Sequence, residues 1–123
     1  MAKISISTVW IQMLPGDSEI AAREKAVIFK DTGVRQFWDP DQLCGKAIAE
    51  ALGYKGRVAW DMYLFYKPGS EWHAHPPRPA AWMHQISESW ANPGHFYTGE
   101  DLRRKLYEAA QGLLDAKKVT KVK

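Results

Sequence analysis

Four histidines, one cysteine and a handful of carboxylates are the residues of this 123-residue chain with the most chemistry to offer. His73 and His75 stand two apart, which on a strand puts both imidazoles on one face, and His84 follows a proline-rich stretch that can fold back toward them. With Asp61 or Glu71 adding a carboxylate, three imidazoles and an open position would suit zinc or another divalent ion, and hence a metal-dependent enzyme. The plainer account is preferred: these histidines belong to a loop beside a hairpin and hydrogen-bond to backbone, with no cofactor and no catalytic residue assigned. Asp39 and Asp41 are accounted for by helix capping, which leaves Asp61, beside an apolar strand, as the carboxylate available for acid-base work. His95, between Gly94 and Phe96, is expected at the surface.

The single cysteine, Cys44, excludes an intramolecular disulfide and a Cys-rich metal cluster. Redox chemistry needs two thiols, or one thiolate with a positioned partner. Cys44 instead shares a helical stripe with Leu43, Ala47 and Ile48 and is expected to be a packing residue.

Six tryptophans are a high load for this length. Trp10, Trp38, Trp60, Trp72 and Trp82 fall in or beside expected strands, where an indole fills core volume while its N–H finds one partner. A functional alternative has Trp72, Trp82, Trp90 and Tyr97 lining an aromatic cleft for a small apolar ligand or a peptide. The candidate ligand-binding set is accordingly Trp60, Asp61, Trp72, His73, His75, Trp82 and His84. Arg35, Arg57, Arg78, Arg103 and Arg104 would be the phosphate contacts of a nucleic-acid binder. The net charge of +3 argues against that, because Lys117, Lys118, Lys121 and Lys123 follow the last acid, Asp115, and leave the body nearly neutral. No apolar run approaches the length of a membrane-spanning helix and no secretory signal is apparent, so a cytoplasmic protein without membrane contact is expected.

The elements that must position these residues can be read in order. Residues 4–14 alternate and then become continuously apolar at Val9, Trp10 and Ile11, as for a strand entering the interior. Asp17 or Ser18 caps a helix whose packing stripe is Ala22, Ala26 and Phe29, ending at residues 31–33. Residues 34–38 form a short strand. Asp39 as N-cap, Pro40 at the first helical position and Asp41 in the first turn open a second helix, which carries Leu43, Cys44, Ala47, Ile48, Ala51 and Leu52 and is closed by Gly53. Residues 57–66 read as a buried strand covered on both faces. Pro68 and Gly69 then turn the chain so that residues 71–75 return antiparallel beside it. Residues 73–79 contain three prolines, a short apolar run covers 81–86, and a last helix starts near Thr98 and Asp101 with the stripe Leu102, Leu106, Ala109, Ala110 and Leu113. The expected organisation is one α/β domain over 1–116, a small mixed sheet of about four strands with helices on both faces, followed by a basic, disordered tail at 117–123.

Residues 9–72 resemble the later part of a thioredoxin-like domain of the peroxiredoxin and thiol-disulfide oxidoreductase type. The strand at Val9 to Leu14 is similar to the one after that family's active-site helix, Phe37-Trp38-Asp39-Pro40-Asp41 to its next strand and helix start, and Trp60 to Trp72 to its terminal hairpin. The blocks at Trp10 to Leu14, Phe37 to Pro40, Ala59 to Asp61 and Trp82 to Gln85 are also similar to bacterial thioredoxin-like proteins of unassigned function. Against that pattern, no strand and helix bearing paired cysteines precede Ile4, and Trp60 or Asp61 stands where the family keeps a cis-proline. The resemblance therefore implies a truncated, redox-inactive domain. Its missing central strand would leave the strands around Val9 and Tyr63 to pair directly or to receive a strand from elsewhere. A binding or assembly role is expected, with a homodimer covering the uncovered face and a small apolar ligand or protein as the further partner.

Overall fold

The computed structural model describes the backbone of residues 4–122 and the side chains through Asp115. Three helices and two separate two-stranded sheets make a small mixed α/β fold. Strand β1 (Ser7–Ile11) pairs in parallel with β2 (Arg35–Asp39), placing Val9 opposite Phe37 and Trp10 opposite Trp38. Strand β3 (Met62–Phe65) pairs antiparallel with β4 (Ala81–His84), placing Met62 opposite His84 and Leu64 opposite Trp82.

Alternation along β1 and β2 sends Trp10 and Trp38 to one face and Ile11 and Asp39 to the other. Helix α1 (Glu19–Ala26) covers the first face, where Ala22 is buried, and a turn of 3-10 helix at Val27–Phe29 continues it. It begins as the sequence implies: Ser18 is the N-cap, and its hydroxyl accepts from the Ala21 N–H at 3.0 Å. Trp10 Nε1 donates to Gln36 Oε1 at 2.7 Å, so one indole is anchored across the strand pair.

Helix α2 (Leu43–Ala51) packs on the second face, with Gly45, Ala49 and the following Leu52 as its buried positions. These recur at i, i+4 and i+7, so small residues make the contact stripe and Leu43 is left 68% exposed. Gly53 closes the helix in the left-handed region, φ 95°, as expected of a C′ glycine. Asp39 caps α2, but not as its N-cap. It is the last residue of β2, and its carboxylate reaches across the turn of residues 40–42 to accept from the N–H groups of Leu43, Cys44 and Gly45 at 2.9, 3.0 and 3.2 Å. Gln42, in the left-handed region, holds the N-cap position, and Pro40 lies outside the helix.

The expected single sheet is replaced by two. The Pro68–Gly69 turn forms, with Gly69 at φ 83° and the Ser70 N–H donating to the Lys67 carbonyl at 3.1 Å. Residues 71–75 do not return as a strand, however, because that stretch is polar and runs straight into Pro76 and Pro77. The partner of β3 is the apolar run that begins at Ala81. Nor is β3 covered on both faces: none of its residues is fully buried, and α3 is the helix that packs against it. Helix α3 (Gly99–Val122) starts directly after Thr98, and Leu102 anchors it in the core at 7% exposure. The backbone of residues 117–122, expected as a disordered tail, continues α3, and the side chains there lie outside the described residues.

Candidate functional site

The largest fully buried side chain is a histidine. His84, at the end of β4, is 1% exposed and is enclosed by aromatic rings from three parts of the chain. Trp82 stands two residues earlier on the same face, its ring centroid 6.1 Å away and nearly parallel. Trp90 and Phe96 tilt against the imidazole at 5.5 and 5.6 Å. His95 stacks on Trp82 at 3.7 Å and 9°, its Nδ1 donating to the Trp82 carbonyl at 2.9 Å. Tyr54, just past α2, closes the group against Trp82 and Trp90, and the Arg57 guanidinium lies over both the Tyr54 and Trp90 rings.

Backbone bonds bring the segment to β4. The His84 N–H donates to the His95 carbonyl at 2.8 Å and the Tyr97 N–H to the His84 carbonyl at 3.2 Å, so residues 95–97 run beside β4 through a parallel bridge at His84 and Phe96. Between these ends, Arg57 donates to the Trp90 carbonyl and the Asn92 N–H donates to the Tyr54 hydroxyl at 3.0 Å. His84 Nδ1 accepts from the Ile86 N–H at 3.1 Å, which needs the neutral ring with its proton on Nε2. Burial pushes the His84 pKa down, His95 adds to that effect, and Asp61 opposes it.

Of the residues singled out from sequence, Trp82 and His84 meet here and Asp61 stands beside them. Asp61 occupies a left-handed bend, φ 50°, immediately before β3, and its carbonyl accepts from the Gln85 N–H at 3.0 Å. Trp60 is half-buried next to it. Trp72, His73 and His75 lie instead on the long loop between β3 and β4, all exposed; Trp72 is 47% exposed and His73 Nε2 sits 3.1 Å from a Glu71 carboxylate oxygen at the surface. The set His73, His75 and His84 is therefore not assembled, and among the described residues no three His, Cys, Asp or Glu side chains converge on a point where an ion would sit.

His95 is a correction to the expected surface position. The tight turn at residues 93–94, with Gly94 at φ 106°, folds the chain back so that its ring lands on Trp82. Tyr54 and Arg57 are partners of this group that the sequence pattern does not reveal. The density of aromatic and histidine residues between 82 and 97 is the signal available for the cluster, but nothing in the spacing ties the end of α2 to it.

Cys44 is half-buried on α2. Burial pushes its thiol pKa up and the nearby Asp39 carboxylate adds to this, the opposite of the activation a nucleophilic or redox thiol requires. The cavities lie elsewhere. A small one of about 30 Å³ sits under α1 between Trp10, Trp38, Ala22 and Lys25, and an open groove runs past Phe29, Val34 and Gln36. No family model, curated protein or solved structure matches the chain. Among the described residues no helix is long and apolar enough to cross a membrane.

Proposed function

We propose that the chain is a redox-inactive thioredoxin-like domain of the cytoplasm that works by binding and assembly rather than catalysis, its first partner being a second copy of itself. The element order strand, helix, strand, helix, strand, strand, helix supports the fold relationship. The raised pKa of the lone thiol supports the loss of redox chemistry. The observation that carries the assembly reading is the parallel pair β1–β2. Parallel strands are found with both faces covered, yet the cross-strand neighbours Val9 and Phe37 are 40% and 52% exposed, with Leu43 and Ile6 exposed as well.

The total surface points the same way. The chain exposes 8934 Å², against about 6,700 Å² for a folded monomer of its mass. Granting residues 1–3 and 116–123 the full area of an unfolded chain still leaves an excess of about 900 Å². A standard interface covers about 800 Å² on each partner, so an excess of this size is enough for one two-fold contact.

Sedimentation equilibrium across the micromolar range tests this. The expected result is a mass near twice 14.0 kDa, falling toward 14.0 kDa in Phe37→Asp, which buries a charge in the contact. A wild-type mass that stays at 14.0 kDa throughout would overturn the assembly reading.

A further inference from the structure

We infer that His84 is the trigger of an acid-operated latch: placing a proton on its ring releases residues 85–97 from β4 while the rest of the fold stays closed. The geometry makes the ring intolerant of a second proton. Nδ1 already accepts from the Ile86 N–H, so protonation there would set two donors against each other at 3.1 Å, and the aromatic wall of Trp82, Trp90 and Phe96 offers no carbonyl or carboxylate in compensation.

What would open is also defined. Residues 85–97 hold to the body through the His84–His95 and Tyr97–His84 backbone bonds, the Gln85 bond to the Asp61 carbonyl, the His95 bond to the Trp82 carbonyl, the Arg57 bond to the Trp90 carbonyl and the Asn92 bond to Tyr54. Apart from the Gln85 bond at the start of the segment, these attachments belong to the cluster that surrounds the imidazole. The closed state is therefore weakest at the point where a new charge would appear.

The charged and titratable groups around His84 act in both directions. Asp61, ahead of β3, attracts a proton to the ring, while His95 in the segment itself opposes one. Arg57, after α2, sits over Tyr54 and Trp90 as a fixed positive charge on the outer side, and Lys105 of α3 lies over the Tyr97 ring. Burial and His95 together outweigh the single carboxylate, so opening is the way the cluster relieves a protonated His84. The neutral ring's contribution is complete above the ordinary histidine value of 6.5 and is lost as pH falls from there through the lowered value in the closed state.

Amide hydrogen exchange of the intact protein, followed residue by residue between about pH 7.5 and about pH 5, tests the latch. After correction for intrinsic exchange, the opening equilibrium read at the His84 and Tyr97 amides should rise about tenfold for each pH unit below 6.5 until the lowered value is reached. Amides of β1 and α2 should not follow. In His84→Asn, whose side-chain oxygen can replace Nδ1 as acceptor, the rise should vanish. Asp61→Asn, at a left-handed position that asparagine tolerates, should extend the rise to lower pH. The proposal is overturned by a flat wild-type profile, by a rise that survives in His84→Asn, or by equal loss of protection in β1 and α2. If His84→Asn does not fold, an Asp61→Asn profile identical to wild type overturns it as well.

Discussion

Adding one methyl group at Gly45 should be among the most damaging small changes available to this chain. A Cβ there would lie 2.6 Å from Ile11 Cδ1, 2.7 Å from Val58 Cγ1 and 2.8 Å from the Ala59 carbonyl oxygen. Carbon atoms pack best at about 3.5–4.0 Å, so α2 would have to lift by roughly 1 Å at its closest approach to the sheet. The Ile11 methyl can swing aside. The β-branched Val58 has little room to turn, and the Ala59 carbonyl is backbone. Lifting the helix also stretches the 2.9 Å bond from the Ala59 N–H to the Gly45 carbonyl and pulls the amides of residues 43–45 away from the Asp39 carboxylate.

Overpacking costs about 1–3 kcal/mol and a weakened buried hydrogen bond about 1 kcal/mol. Alanine returns about 1 kcal/mol of helix propensity, so Gly45→Ala should destabilise by about 1–3 kcal/mol net. Gly112, on α3 with nothing within 4 Å of where a methyl group would stand, isolates the propensity gain: Gly112→Ala should stabilise by about 0.5–1 kcal/mol. Urea unfolding at fixed protein concentration, with slopes compared to confirm a common unfolded state, measures both. Equal or greater stability in Gly45→Ala would refute the close approach of α2 to Ile11 and Ala59.

Asp39→Asn removes the charge from a carboxylate that is 7% exposed and accepts from three helix N–H groups, and should cost about 1–2 kcal/mol in the same assay; an unchanged midpoint would show that the cap is not charge-dependent. Cys44→Ala should shift stability by no more than about 1–2 kcal/mol. In the native protein Cys44 should react more slowly with a thiol reagent at mildly alkaline pH than it does in urea, because its raised pKa depletes thiolate. A fast, acidic thiol would contradict that environment.

Local signals are readable wherever one residue type answers one backbone requirement. Ser18 caps α1, Gly53 closes α2, and Pro68 with Gly69 makes the turn that their types imply. What stays hidden in the sequence depends on tertiary partners. Hydrophobicity draws the stripe of α2 through Leu43, Cys44, Ala47, Ile48, Ala51 and Leu52; of these Leu52 is buried as expected, but the other buried positions are Gly45 and Ala49, small residues that let the helix approach closely. Proximity to the turn favours residues 71–75 as the return strand, although the apolar pattern at Ala81, Trp82 and Met83 marks the true partner of β3. His84 is a sound candidate expected in the wrong company: its neighbours are rings from residues 82, 90, 95 and 96, not the histidines of the intervening loop.

The division into two sheets explains why so little of the apolar content is fully covered. Among the described residues the buried hydrophobic positions are Ala22, Ala49, Leu52, Ala59, Met83 and Leu102, three of them alanines. Alanine burial contributes little, whereas a fully buried leucine or methionine contributes about 1.5–3 kcal/mol. The large aromatic residues contribute through half-buried contacts around Trp82 and along Trp10 and Trp38, which leave part of each ring in water. A sheet continuing from β1 to β3 would have brought both sets of large residues over one surface. With β1 and β3 in separate sheets, α1 and α2 serve the first pair and α3 the second, and each pair keeps an open remainder. If the proposed second copy sits over Val9 and Phe37, it would add burial where these two side chains are still open to water, and the assembled protein would gain stability from that same face.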